Sequence, residues 1–432
     1  MIQAIPAPVI DITEAQQTRI ICVSLVLESV VSYRSVPRIL NLLNTMSPLA
    51  LKWIPHFTSV INWTLRLGLG LLKNVQPICE PWVAIMDHSI DIGTKKVLVV
   101  LRVKIDALSN REKAITLKDC ECIGMKISET VNGETVALAL ENIFTISGTP
   151  CAILKDCDHT LGKGVRLWSE KQRVGVPVID DISHVIANVL KEQFGKNSAY
   201  QCFVTKINHC AKCLRQTDLA FLMPPKLRTK GRFLSIGKLG KWAEKIINIM
   251  AIQGRAKKGS LLERLRKIMP NLRLLTSFIT RFANMVKIAS QIMKVLKNKG
   301  LDQRTYQECQ LLLEKLPNSK VKSKVQLWLQ KHIKLQLQIS NLPLLVSSDI
   351  IESLFGRFKH IIERSPQADM NRTTLLIPTL CGNIDELAIT RSFKEASHNN
   401  LINWEQENIP YTIRKKRQDF FAHKNIQKAV NS

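Results

Sequence analysis

Between residues 82 and 193, apolar stretches too short to be helices alternate with stretches of helical spacing. That order constrains the fold more than any other feature of the chain. Residues 82–92 and 95–107 are rich in Val, Ile and Leu and read as strands, with Gly93-Thr94 as the turn between them. Residues 117–125 read as a third strand. Asn132-Gly133 marks a turn, 134–146 carries a helical pattern, and Gly148-Thr149-Pro150 stops it. Residues 151–155 form a short buried strand and 176–179 another, followed by a helix over 181–193. Strands interleaved with helices in this way predict an α/β fold built on a mixed sheet with flanking helices.

The flanks read as helical. Residues 14–31 place Ile20, Val23, Leu27, Val30 and Val31 at helical spacing. A short helix over 36–43 follows, with Ser35 as N-cap and Pro37 in its first turn. A third covers 58–72 and carries Trp63, Arg66 and, just beyond it, Lys73. These three helices predict a helix-turn-helix-like DNA-binding domain over 1–76, with Arg38, Trp63 and Arg66 as candidate contacts. A plain helical bundle is the alternative. Residues 80–199 then supply the first part of a core, and 200–345 a basic all-α insertion large enough for its own core. Residues 346–395 supply the last part of the core, including an amphipathic helix over 348–363 and an apolar run over 374–380. The segment 396–432 reads as a basic, loosely ordered tail.

Charge is distributed unevenly. The chain has 62 Lys and Arg against 35 Asp and Glu, a net charge of +27. Residues 200–345 alone hold 29 of these basic residues against 6 acidic ones, so one third of the chain carries most of the excess. A patch of that sign attracts polyanions. The basic residues spread over several helices and form no single basic amphipathic helix, which argues against a membrane-surface role. No apolar run approaches the ~18 residues needed to span a bilayer. Residues 1–12 hold two prolines and an aspartate and lack a basic start, unlike a secretory signal. Eleven cysteines without framework spacing suit a reducing cytoplasm. A DNA-acting protein there is expected to be associated with the nucleoid.

Two aspartates each end an apolar stretch: Asp87 in PWVAIMDHSIDIG and Asp156 after PCAILK. A third acid, Glu352, lies in SSDIIESLFGRFK at a helix start. An acid at the end of a buried strand is held rigidly yet reaches solvent. Phosphodiester transfer needs charge relief at both the attacking and the leaving oxygen, which two divalent ions ~3.5–4 Å apart provide. Mg²⁺ prefers carboxylate and water oxygens, so three carboxylates suffice as its protein shell. Taken singly, each Asp also reads as a turn or cap residue, and Glu352 as an exposed helix residue.

The stretch Asp156-Cys157-Asp158-His159-Thr160-Leu161-Gly162-Lys163-Gly164-Val165 resembles the sequence after the second acid of DDE-type insertion-sequence transposases. Residues 178–188 resemble the strand and helix that follow it there. Residues 219–225, with Arg228 and Arg232, are similar to the start of the helical insertion in that family. Ile351-Glu352-Ser353-Leu354-Phe355-Gly356-Arg357-Phe358-Lys359 resembles the helix of the third acid, where a basic residue follows the glutamate by two turns. The resemblance spans 82–359. It implies a ribonuclease H-like core interrupted by the insertion, metal-dependent strand cleavage and strand transfer, and Asp87, Asp156 and Glu352 as catalytic and metal-binding residues. The cofactor it implies is two Mg²⁺ or Mn²⁺ ions. The partners are double-stranded DNA at element ends and target, with a homodimer or higher assembly on DNA. Arg357 and Lys359 become candidate phosphate contacts, Lys359 on the face of Glu352. Two departures stand out: His88-Ser89 follows Asp87 where many relatives have Gly-Thr, and Ser348 stands where one subgroup has arginine.

Other acids are decoys or helpers: Asp91, Asp106, Asp158, Asp180 and Asp181. Asp91 is the first substitute for Asp87, since strand alternation puts both on one face. His184 follows Asp181 by three residues and is expected either to pair with it or to be a satisfied buried histidine. Cys210 and Cys213 have the gap of a zinc knuckle, and Cys202 and His209 are nearby. No second pair follows, so a helix with buried thiols is expected and zinc is not. The competing function class is a DNA-binding protein without catalysis, such as a repurposed transposase. A single-stranded RNA binder ranks below both, because only 6% of residues are aromatic and stacking motifs are absent.

Overall fold

The computed structural model describes residues 14–46, 51–88, 95–108, 115–226, 236–270, 272–339, 342–361 and 370–422. Asp91, the Gly93-Thr94 turn, Arg228 and Arg232 lie outside them. Five strands, β1 (Trp82–Asp87), β2 (Lys96–Lys104), β3 (Glu121–Ser128), β4 (Ala152–Lys155) and β5 (Val178–Asp180), form one sheet in the order β3-β2-β1-β4-β5. β2 runs antiparallel to both of its neighbours, β1 and β3, and β4 and β5 run parallel to β1. The expected mixed sheet is therefore present, with strand ends displaced by a few residues. β1 is buried along its whole length and β2 nearly so, because helices cover both faces. That is why these strands read as continuous apolar runs.

Seventeen helices accompany the sheet among the described residues. The first three are α1 (Glu14–Leu27), α2 (Ser35–Met46) and α3 (Phe57–Lys73). Next come α4 (Gly133–Ser147), α5 (His159–Gln172) and α6 (Ile182–Phe194). The insertion holds α7 (Ser198–Leu214), α8 (Ile236–Met250), α9 (Leu261–Ile268), α10 (Thr276–Lys299), α11 (Gln303–Glu314) and α12 (Lys320–Ile339). The chain returns through α13 (Asp349–Ile361), α14 (Leu376–Thr379), α15 (Glu386–Glu395), α16 (His398–Asn408) and α17 (Ile413–Ala422). None is long and apolar enough to cross a membrane.

Strand alternation sorts the two faces. Trp82, Ala84 and Met86 of β1 and Ile153 of β4 pack with Leu140 of α4 and Trp168 of α5. Val83, Ile85 and Leu154 face the other way, into a core shared with α3, α6 and α13. The same core continues into the insertion without a break. Phe194 at the end of α6 meets Phe282 of α10 with ring centroids 5.1 Å apart, and Tyr200 and Phe203 of α7 join them. The insertion thus extends the sheet's core instead of closing one of its own.

The ends of the chain also differ from expectation. α3 serves two cores: its Val60, Trp63 and Leu67 pack with α1 and α2, while its Leu65 and Leu69 belong to the sheet's core. Gly68 presses on the backbone of the 372–375 turn so closely that a Cβ there would lie 1.7 Å from the Leu375 carbonyl oxygen. The segment after 396 is not all a loose tail, because α16 buries Leu401 and Ile409 follows it into the core. Polar caps and a basic composition hid these few apolar anchors.

Candidate active site

β1 and β4 are neighbours in parallel register, with Met86 opposite Lys155. Asp87 and Asp156 are each one residue further along, so they stand side by side at the carboxyl ends of adjacent strands. Alternation turns both toward the face that carries α6 and α13, since Ile85 and Leu154 already point there. Asp87 is 8% exposed. Its pKa is pushed up to about 6 by burial and by the neighbouring Asp156 carboxylate, against the hydrogen bond from the His88 amide and the positive fields of His88 and His184. Asp156 is half-buried, and its Oδ1 accepts from the Asp158 amide at 2.8 Å.

Glu352 reaches this corner on α13, which packs against β1 through its buried face. Its Oε1 lies 3.4 Å from Nε2 of His184 in the first turn of α6. Burial alone would lower the pKa of that imidazole. The hydrogen bond to Glu352 and the charges of Asp181, Asp156 and Glu352 outweigh it and raise the value to about 9. His184 is therefore an imidazolium at neutral pH, lodged among carboxylates. It pairs with Glu352; its backbone amide, not its ring, is what bonds to Asp181. Among the described residues, no three His, Cys, Asp or Glu side chains are grouped as a metal ion would require. The three acids are thus neighbours linked through His184, not a closed ligand set.

The other acids have local duties. Asp158 caps α5, accepting from Thr160 and Leu161, and also meets His88 Nε2 at 3.3 Å. Burial would raise the pKa of Asp158; these hydrogen bonds and the His88 charge outweigh it and hold it below the usual carboxylate range. His88 thereby ties the loop after β1 to the loop after β4, a task the sequence did not reveal. Asp180 pairs with Lys155 at 2.8 Å and with Lys331 at 3.6 Å. Asp106 sits in a 3₁₀ turn after β2.

Two candidate DNA contacts on α3 have partners within the fold, Trp63 buried and Arg66 partly so. Trp63 is 8% exposed and packs edge-on against Trp53, with Arg19 over its ring. Arg66 donates to the carbonyls of Ala396 and Phe393 at 2.6 and 2.9 Å and so fastens α3 to α15. Their positions on α3 suggested a solvent face, but α14 to α16 cover it. Arg38 is exposed on α2. Lys359 is exposed two turns after Glu352, on the same face of α13, whereas Arg357 projects about 140° away, toward a groove bordered by Leu27 and Leu380. On α7, Cys210 is buried while Cys202 and Cys213 are exposed, and Cys213 Sγ lies 3.4 Å from His209 Nε2.

No family model matches the chain, and no curated protein does. Among solved structures, the Drosophila P element transposase strand transfer complex aligns over 86% of this chain and 92% of its own, at 11% identity and a TM-score of 0.42. That likeness is too loose to establish a shared fold.

Proposed function

We propose that this chain is a DNA transposase with a ribonuclease H-like core, which cleaves the ends of a mobile element and transfers the freed 3′-hydroxyl strand to target DNA. The observation that carries this reading is the placement of Asp87 and Asp156 abreast at the ends of two parallel strands, on the face packed by the helix that bears Glu352. The sheet order, with an antiparallel three-strand meander joined to two parallel strands, supports the ribonuclease H-like reading. So does the return of the chain to the sheet through α13 after a basic helical insertion.

Three carboxylates offer only oxygen donors, a set that suits Mg²⁺ or Mn²⁺. The raised pKa of Asp87 reflects burial first and crowding by the Asp156 carboxylate second, and a bound cation would offset both. Two bound ions would supply charge relief at the attacking and leaving oxygens. Asp87 and Asp156 are held ready by burial and by the Asp158 amide. Glu352 is 47% exposed along its side chain, so its rotamers remain open; His184 holds it when no ion does. Lys359 would take a phosphate on the Glu352 face, and Arg38 remains the candidate of the N-terminal helices for contact with the element end. The insertion would grip the DNA backbone. Two element ends brought together call for at least a dimer, and such an enzyme would act at the nucleoid.

One observation favours a second reading, a DNA-binding protein without catalysis: the acids do not form a ready ligand set, and Glu352 is engaged by His184. Incubating the purified chain with element-end duplex and Mg²⁺ separates the two. The enzyme nicks the duplex, loses the activity with chelator, and loses at least about 100-fold in Asp156→Asn and in Glu352→Gln. Binding without nicking in Mg²⁺ or Mn²⁺, or nicking unchanged in both variants, overturns the catalytic assignment.

A further inference from the structure

The most completely satisfied charge near the acids is one that the proposed chemistry does not use. Asp181 is fully buried, at 0% exposure. Its Oδ1 accepts from the amides of Ser183 at 2.5 Å and His184 at 3.1 Å, capping α6. Its Oδ2 accepts from both the amide and the hydroxyl of Ser348, each at 2.5 Å. One oxygen therefore fixes the start of α6, which presents His184. The other fixes the residue immediately before α13, which presents Glu352 one turn later. The two ends are 167 residues apart in sequence, separated by the whole insertion.

A second tie runs alongside. Asp349, the first residue of α13, accepts from the Ser183 hydroxyl at 3.2 Å and pairs with Lys297 of α10. The backbone adds a third, the Ile182 amide donating to the Val346 carbonyl at 3.0 Å. A carboxylate in a dry site with four donors is a rigid joint, because any displacement leaves a buried charge short of partners.

We infer that Asp181 is a positioning residue, which sets the start of α13 against α6 and so places Glu352 opposite Asp87 and Asp156. The inference rests on the transposase reading for its chemistry but not for its geometry. Asp181→Asn separates the two halves of the joint. An asparagine Oδ1 still caps α6 as well as aspartate does. Its Nδ2 is a donor facing the Ser348 amide, which can only donate; the Ser348 hydroxyl can turn to accept from it, so the α13 side is weakened while the α6 cap is kept.

The test uses the full chain with Asp181→Asn and Ser348→Ala. In Asp181→Asn, amide hydrogen exchange over 348–352 is expected to speed up at least tenfold while that of β1 stays as in the wild type. The Mg²⁺ concentration for half-maximal nicking is expected to rise about tenfold, as for other groups that orient metal ligands, with DNA affinity unchanged. Ser348→Ala shifts both readouts in the same direction by less, and it carries the test if the first variant does not fold. Unchanged exchange over 348–352 overturns the inference. Faster exchange with wild-type Mg²⁺ dependence overturns it too, because the joint is then structural alone. A wild-type chain that never nicks DNA sinks the transposase reading instead, and the exchange measurement then decides the joint by itself.

Discussion

His332 shows how one buried side chain sets a pH limit. It is 0% exposed on α12, its Nδ1 bonds the Trp328 carbonyl at 2.8 Å, and its Nε2 accepts from the Asp180 amide at 3.4 Å. Burial, with help from Lys331, lowers its pKa to about 4, against the opposing pull of the Trp328 bond and Asp180. In the unfolded chain it titrates near 6.5. Above that pH it is neutral in both states and costs nothing. Below it, the unfolded chain takes a proton that the folded one refuses, so stability falls as pH drops from 6.5 toward 4, by about 3 kcal/mol at the end of that window. Asp87, with its pKa raised to about 6, takes up a proton in the folded state over the same range and opposes this slope, so the His332 contribution is read as the difference between wild type and His332→Gln in urea unfolding between pH 7 and 4.5. An equal slope in the variant removes His332 from the account. Asp158 and Asp180, both held low, lose their contributions only at lower pH. Neither the role of His332 nor the His88–Asp158 tie was legible beforehand, because pairs so distant along the chain leave no periodic trace. The acids Asp87 and Asp156 were legible for a local reason: each ends an apolar run, which marks the edge of a buried strand.

At the scale of elements, the strands, α4 and α6 were readable because spacing and turn residues agreed with the fold. α3 was readable as a helix but not as an internal one. It is buried on nearly all sides, with Val60, Leu65, Leu67 and Leu69 covering more than one stripe. Its fit depends on close approach: Gly68 admits the Leu375 carbonyl and Gly70 admits Ser392. Gly68→Ala should gain the ordinary helix preference of ~0.5–1 kcal/mol yet lose more, about 1–3 kcal/mol or beyond, as α3 is forced off the Leu375 backbone. Gly356→Ala on α13 is the matched control, since nothing lies within 4 Å of its Cβ site. It should stabilise by about 0.5–1 kcal/mol. Thermal and urea unfolding of the two variants measure the pair, and a Gly68→Ala protein as stable as Gly356→Ala would show that the contact relaxes freely.

For the whole molecule, composition marked a basic helical third of the chain but not how it is attached. Charge is set by surface residues and survives as a regional count, so the basic third of the chain was plain. The shared core was not, because Phe194, Phe282 and Tyr200 look the same in sequence whether they face a separate core or a continuous one. The joint at Asp181 and Ser348 was hidden for the same reason: its two halves flank the entire insertion. The insertion's role as a grip on the DNA backbone makes a quantitative demand. Each phosphate neutralised on duplex DNA steepens the dependence of log affinity on log salt by about 0.9. Arg255, Lys257 and Lys258 are exposed in the loop between α8 and α9, far enough from the acids in sequence to be altered without touching them. Changing all three to Gln should flatten the slope by as much as ~2.7 if every one meets a phosphate. Binding to duplexes of any sequence should weaken alike, because phosphate contacts carry no base information. The melting temperature should hold, since exposed cations contribute little to folding. Titrations of a fluorescent duplex at several salt concentrations read the slope directly. A slope identical to that of the wild type would put this loop off the DNA path and move the grip to another face of the insertion.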